Sequence, residues 1–268
     1  MRVLRALISP AVLCVVAVFA SIGFSIVSSN ASRTIVFKQE TKFGEAKASF
    51  PMEMKRWDEP LFNLLNARAK ADMADFLKNA EQEAAGRPED SDAVWKPHDQ
   101  TVTYLEQFRT NNFVSYLQMT TVVQGDGPPS VTFSTINYDK ALRREFGLGD
   151  ILEGAEDRSR TLEALSNYAR EDLKEKTGED EESDALLDLS KPDLSVYERF
   201  TLCPSTKIGK AAGLTIHFPP DAGGAYAGSE FHVTIPYTVF AKYLKPGMKA
   251  LFSGEPRQAP VSWENADT

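Results

Sequence analysis

Three histidines, His98, His217 and His232, are the side chains of this chain whose ordinary titration falls near neutral pH. A metal site would need them clustered with carboxylates, and a hydrolytic site would need one of them beside a nucleophile or an acid. His217 and His232 lie in strand-like runs, where an imidazole satisfied on a sheet face is the ordinary outcome; His98 lies in a stretch that reads as a surface loop. Asp221 follows His217 closely enough to serve a small cell-envelope hydrolase built on either strand histidine, and that alternative stays open. Cys203, after Leu202 in another strand-like stretch, reads as a half-buried inert thiol. No Gly-x-Ser-x-Gly, phosphate-binding loop or His-Glu-x-x-His pattern occurs, so the sequence implies no catalytic residue, metal or cofactor.

A different chemistry, contact without catalysis, suits the segment Pro219 to Ser229. Gly223, Gly224 and Gly228 permit backbone angles that other residues adopt only at a cost, so the loop can hold a fixed irregular shape and project Tyr226. An aromatic on such a turn loses little entropy on docking. Tyr237, following Pro236, falls at a strand end. Gly223, Gly224, Tyr226, Gly228 and Tyr237 are therefore the candidate ligand-binding residues, with packing of Tyr226 over the sheet edge as the plainer alternative.

The elements that must hold these residues are legible from periodicity. Arg33 to Phe50 alternates as one or two strands closed by Pro51. Asp58 precedes Pro60 as an N-cap, and Leu61, Leu65, Ala69, Met73, Phe76, Leu77 and Ala80 recur at helical spacing until Gly86. Thr101 to Phe108, Phe113 to Val123 and a run from Val131 read as strands, the last two joined across Gly125-Asp126-Gly127-Pro128-Pro129. Leu162, Leu165, Tyr168, Ala169 and Leu173 predict a second helix ending near Gly178. Tyr197 to Leu202, Leu214 to Phe218 and Phe231 to Ile235 predict three more strands. The expected fold is α+β, an antiparallel sheet with one long helix in a C-terminal module, preceded by a smaller strand-helix segment. The expected divisions are 33–110 for that segment, 111–252 for the module and 253–268 for an extended tail.

Composition restricts the setting. Ala6 to Ser32 carries no charge and is mostly apolar, directly behind Arg2 and Arg5, so residues 1–32 read as a signal peptide or a membrane anchor through residues 6–28. Length favours the anchor, while Ser29-Asn30-Ala31 offers a cleavage site. The remainder is expected to work in the periplasm or outside the cell, secreted or held by one N-terminal membrane segment. Cys14 lacks the small residue expected before a lipidated cysteine, and with two cysteines in all, Cys203 has no partner for an internal disulfide in the exported part. The net charge of −8 is concentrated between Glu171 and Asp188, where nine acidic residues face Lys174 and Lys176. That run lacks the spacing of a calcium loop, and no basic stripe is present to bind nucleic acid.

Leu214-Thr215-Ile216-His217-Phe218, the loop with Ala225-Tyr226-Ala227-Gly228, and Phe231-His232-Val233-Thr234-Ile235-Pro236-Tyr237 resemble the C-terminal core of the RsiV-like extracytoplasmic family. Asn137-Tyr138-Asp139 and Leu148-Gly149-Asp150-Ile151-Leu152 resemble that family's strand end and helix connector, so the likeness spans roughly residues 40–250. The family includes a lysozyme-sensing anti-sigma factor and the non-catalytic part of cell-wall deacetylases. The resemblance implies a non-enzymatic envelope-facing binding module, with lysozyme or another basic wall-active protein as partner and a peptidoglycan glycan as the alternative. Two departures matter. The family's Gly-Gly-Ala-His turn is replaced by Gly125-Asp126-Gly127-Pro128-Pro129, without the histidine. The roughly five residues ahead of the apolar run cannot bury the ~800 Å² per partner that a stable sigma-factor interface needs.

Overall fold

Strand Ser25–Val27 (β1) pairs antiparallel with Thr34–Thr41 (β2), which turns back into Gly44–Pro51 (β3). The structure, a computed structural model, describes residues 25–27, 34–87, 94–178, 184–218 and 231–257. Alternation puts Ala46, Ala48 and Phe50 of β3 inward. Two helices follow, Met52–Trp57 (α1) and Glu59–Ala85 (α2), and the chain then enters His98–Arg109 (β4), which lies parallel to β3. Parallel neighbours need a long crossover, and the 27 residues of α2 supply it. Phe113–Val123 (β5), Ser130–Asp139 (β6) and Arg144–Glu145 (β7) add antiparallel strands in sequence order, completing a seven-stranded mixed sheet.

After a short turn of helix, Leu148–Ile151 (α3), comes Arg160–Thr177 (α4), capped by the Ser159 hydroxyl at its start and closed by Gly178 at φ 70°. Asp184–Leu189 (α5) and Leu194–Tyr197 (α6) lead into a separate three-stranded antiparallel sheet of Phe200–Pro204 (β8), Ala211–Phe218 (β9) and Phe231–Pro236 (β10), with β9 central. Tyr237–Phe240 (α7) and two 3-10 turns, Ala241–Tyr243 and Pro246–Leu251, follow.

Two cores result. On one face of the large sheet, Leu61, Leu65, Met73 and Leu77 of α2 pack on Phe50, Val102, Tyr104, Val114, Tyr116 and Ile136. The other core joins Leu162, Leu165, Ala169 and Leu173 of α4 to Leu214, Ile216, Val233 and Ile235 of the small sheet and to Phe108 of β4. Each fully buried side chain of this size contributes about 1.5–3 kcal/mol. The small sheet meets the large one through the outer edge of β8. The Asn137 amide donates to the Phe200 carbonyl at 2.8 Å, and the Leu202 N–H donates to the Ser115 hydroxyl at 3.2 Å. The Ser115 hydroxyl donates to Asn137 Oδ1 at 2.6 Å, so side chains of β5 and β6 satisfy an edge that would otherwise be left with orphan backbone groups.

The fold class expected from sequence is corrected here. The principal sheet is mixed and draws its strands from both expected segments; the C-terminal strands form a second sheet of their own. The 27-residue α2 lies in the N-terminal part and α4 lies mid-chain, whereas the described C-terminal region after residue 184 has only short helices. Periodicity marks each strand but does not name its neighbours. Two local readings also shift: His98 opens β4 and is buried, and Tyr197 ends a helical turn ahead of β8.

Candidate functional site

Glu106 and Arg109 would face opposite sides of a regular strand, because side chains alternate. A β-bulge after Glu106 changes the parity: Glu106 is registered with Tyr116, whereas Phe108 meets Ser115 and Arg109 meets Val114. Glu106 and Arg109 therefore share the face that looks toward the α1–α2 junction. Asp58 sits at that junction, in the N-cap position of α2, yet its carboxylate makes no capping bond. It turns inward instead, with a fully buried side chain, and pairs with Arg109 Nη1 at 2.6 Å and Lys140 Nζ at 3.1 Å. Arg109 also donates through Nε to Glu106 at 2.9 Å and through Nη2 to the Tyr116 hydroxyl at 2.7 Å. Burial works against the Arg109 charge, but the hydrogen bonds to Glu106 and the charges of Glu106 and Asp58 outweigh it and hold the guanidinium more firmly protonated than usual. Burial likewise raises the Tyr116 phenol above its ordinary value.

This charged quartet backs a cleft of about 1090 Å³, near the upper end of ligand-site volumes. One wall is Trp57, Arg109, Lys140 and the β4–β5 turn from Thr110 to Phe113; the other is the β8–β9 turn from Ile208 to Lys210 with Gly247, Ala250 and Leu251. Both walls are braced. The Thr110 hydroxyl accepts from the N–H of Asn112 and of Phe113 at 3.3 and 3.0 Å, and the Lys140 N–H donates to the Asn112 carbonyl at 2.8 Å. Across the cleft, the Lys210 N–H donates to the Lys207 carbonyl at 3.2 Å over Gly209 at φ 71°, a left-handed position that favours glycine. The Thr206 N–H donates to the Glu255 carbonyl at 2.9 Å, tying that turn to the C-terminal segment. The turn holds Ile208 out at 99% exposure, and Trp57 is 59% exposed on the facing wall. The side chains that line the cleft include three cations, Arg109, Lys140 and Lys210, and no carboxylate.

The strand histidines come together as well. His217 and His232 are directly registered on β9 and β10, and their Nδ1 atoms lie 2.9 Å apart. His217 Nε2 is hydrogen-bonded with the Thr201 hydroxyl at 2.8 Å. One facing nitrogen must donate and the other accept, so the pair cannot carry a proton on both. Burial first, and the other ring second, holds His217 well below the usual histidine range; burial and the charge of Lys176 lower His232 to about 4. His98 is remote from them, its ring tilted by 37° against Trp95 at 4.7 Å between ring centres and 3.9 Å from a Glu83 oxygen. Cys203 is buried, more so than the half-buried position read from sequence, and burial pushes its thiol up to about 11. Among the described residues, no three His, Cys, Asp or Glu side chains converge to hold a metal ion.

Of the candidate contact residues, Gly223, Gly224, Tyr226 and Gly228 lie outside the described residues, as do Asp221, residues 1–24 and the centre of the acidic run. Tyr237 starts α7, half-buried against the second core. Within the described part of the acidic run, Asp172 pairs with Lys176 at 2.5 Å and Asp188 with Lys191 at 3.6 Å. The cleft was not legible as a site. Its only sequence signals were Trp57 next to Asp58, and Ile208-Gly209-Lys210 in a turn.

Residues 151–238 match the family model described as a protein of unknown function, DUF3298. The match takes in α4 and all of the small sheet, and so contains Ile208 and Lys210 but not Trp57, Arg109 or Lys140. A crystal structure of a DUF3298 family member from Bacteroides fragilis is similar over 85% of this chain and 95% of its own, with a TM-score of 0.50 and 14% identity. At that identity the likeness speaks to the fold alone. A DUF3298 family protein from Pseudomonas aeruginosa is similar over 87% of this chain and 98% of its own at 13% identity, and its TM-score of 0.49 adds no weight. No curated protein matches the chain.

Proposed function

We propose that this protein is a non-enzymatic, envelope-facing binding module whose ligand sits in the cleft between the β4–β5 and β8–β9 turns. The observation that carries the reading is Trp57 and Ile208, two large apolar side chains held in solvent on opposite walls of a braced cleft of about 1090 Å³. Exposed apolar groups on a helix end and a braced turn cost little to dock and gain by burial. A non-catalytic role is favoured by the histidines: His217 is buried in the small sheet and committed to Thr201 and His232, which leaves it badly placed to exchange protons with a substrate. The envelope setting rests on the uncharged Ala6 to Ser32 run behind Arg2 and Arg5.

Between the partners implied by the resemblance, the cleft favours a wall glycan over lysozyme, since its lining carries amides, an indole and cations but no carboxylate to attract a strongly basic protein. The test is tryptophan emission of the purified protein titrated with soluble peptidoglycan fragments and, separately, with c-type lysozyme. A Trp57→Phe variant identifies the cleft signal. Saturable change with fragments, which mass spectrometry recovers intact, supports the reading. Conversion of the fragments overturns the non-enzymatic part, and a response to lysozyme alone moves the site to a protein partner.

A further inference from the structure

The charges around the cleft are arranged in depth. Asp58 is fully buried behind it, and neither Asp58 nor Glu106 reaches the lining, so the quartet of two acids and two cations presents its positive end to the cavity. Arg109 is spent on Glu106, Tyr116 and Asp58, and its Nη1 is buried; it positions Asp58 and has little left for a ligand. Lys140 is ion-paired with Asp58 at 3.1 Å, and Lys210 gives one of its three donors to the Ala250 carbonyl at 2.6 Å. Each ammonium keeps donors for something in the cavity, one on each wall. The rest of the lining is unlike an apolar drug-type pocket: Asn111 and Asn112 offer amide groups, next to one broad indole, while the Thr110 hydroxyl is committed to its own turn. Amides beside a half-exposed indole, with the Arg56 guanidinium over its ring at 4.6 Å, match a polyhydroxylated ring, and the two ammonium groups match an acid carried by that ring.

We propose that the cleft binds an acidic sugar, with the ring against Trp57 and its carboxylate or phosphate between Lys140 and Lys210. This rests on the reading of the cleft as the binding site and adds the chemical class of its occupant. Oxyanions gain from charge-assisted hydrogen bonds that a neutral sugar does not make.

Calorimetric titration of the purified protein tests it with three probes of equal ring count: a disaccharide containing N-acetylmuramic acid, a disaccharide phosphate, and neutral chitobiose. At least one acidic probe should bind about tenfold or more tightly than chitobiose and weaken steeply with added salt; which of the two binds better identifies the acid. Lys210→Met should weaken that binding by about tenfold or more with an unchanged urea midpoint, since the Lys210 ammonium makes an exposed hydrogen bond to the Ala250 carbonyl that water can replace. Lys140→Met should weaken binding as well, but it also lowers the urea midpoint by breaking the ion pair with Asp58, which makes Lys210→Met the cleaner variant. Equal binding of chitobiose and the acidic probes, or indifference to Lys210→Met, overturns the acidic class while leaving the cleft as a binding site. Absence of any binding, with no change in Trp57 emission from the mixed wall fragments, overturns the cleft reading as well.

Discussion

Replacing Asp58 by asparagine keeps the volume and removes one charge from the centre of the quartet. The carboxylate lies 2.6 Å from Arg109 Nη1 and 3.1 Å from Lys140 Nζ. Coulomb's law at an effective dielectric near 20 makes these attractions about 6 and about 5 kcal/mol. The fully buried carboxylate has given up its hydration, which offsets several kcal/mol of that gain, so the net loss expected for Asp58→Asn is about 3–5 kcal/mol. Lys140→Met alone leaves Asp58 paired with Arg109 and should cost about 1–3 kcal/mol, because the buried carboxylate loses one of its two counter-charges. In the Asp58→Asn background the same Lys140→Met change should be neutral or stabilising, because it then deletes a cation with no counter-charge. Urea denaturation of the four proteins, followed by circular dichroism, gives the coupling, expected to exceed about 1 kcal/mol. Additive losses, or an Asp58→Asn cost below about 1 kcal/mol, would refute the claim that this buried carboxylate holds both cations.

Stability should fall as pH drops from about 6.5 toward 4. An unfolded histidine takes up a proton near pH 6.5, whereas His232 in the fold resists until about 4, so acid favours the unfolded chain by up to about 3 kcal/mol from this residue. Urea midpoints between pH 7 and 4.5 check this; His232→Gln should lessen the decline, the share of buried His217 remaining, and a flat profile in the parent would sink the argument. Asn137→Ala should cost about 2–4 kcal/mol, because the Phe200 carbonyl and the Ser115 hydroxyl both lose a buried partner, and a melt within about 0.5 kcal/mol of the parent would show that the edge of β8 is satisfied some other way. Cys203, with its thiol pushed up to about 11, should react with iodoacetamide at pH 8 more than a hundredfold more slowly in the folded protein than in urea. Comparable rates would mean that the C-terminal segment covering it opens readily.

The element pattern was largely readable because it is local. The apolar series from Leu61 to Ala80 and from Leu162 to Leu173 have the period of a helix whatever they pack against, and both helices form and end where Gly86 and Gly178 stop them. The strands Phe113–Val123 and Ala211–Phe218 were likewise marked by β-branched and aromatic residues. The face assignment was less secure. In β5 the face with Phe113, Leu117 and Met119 reads as the apolar one, yet Val114 and Tyr116 are the residues buried against α2, and Ser115 is buried under β8. Both faces of that strand are covered near its start, so alternation there carries little information.

The candidate site was decided above that level. Asp58 has the composition of a helix cap, and only the approach of Arg109 at the end of β4 and Lys140 in the turn after β6 makes it a buried counter-ion instead. The bulge after Glu106 breaks a period-2 pattern at a point where no glycine or proline announces it, and it alone brings Glu106 and Arg109 to one face. By itself the sequence determined where the two long helices and most strands lie, and which stretch is uncharged, since those follow from each segment's own side chains. Which strands are neighbours, which turns face each other, and which cations share a cavity were decided only by tertiary structure, because a pairing between distant segments is favourable only when the layers they belong to pack together.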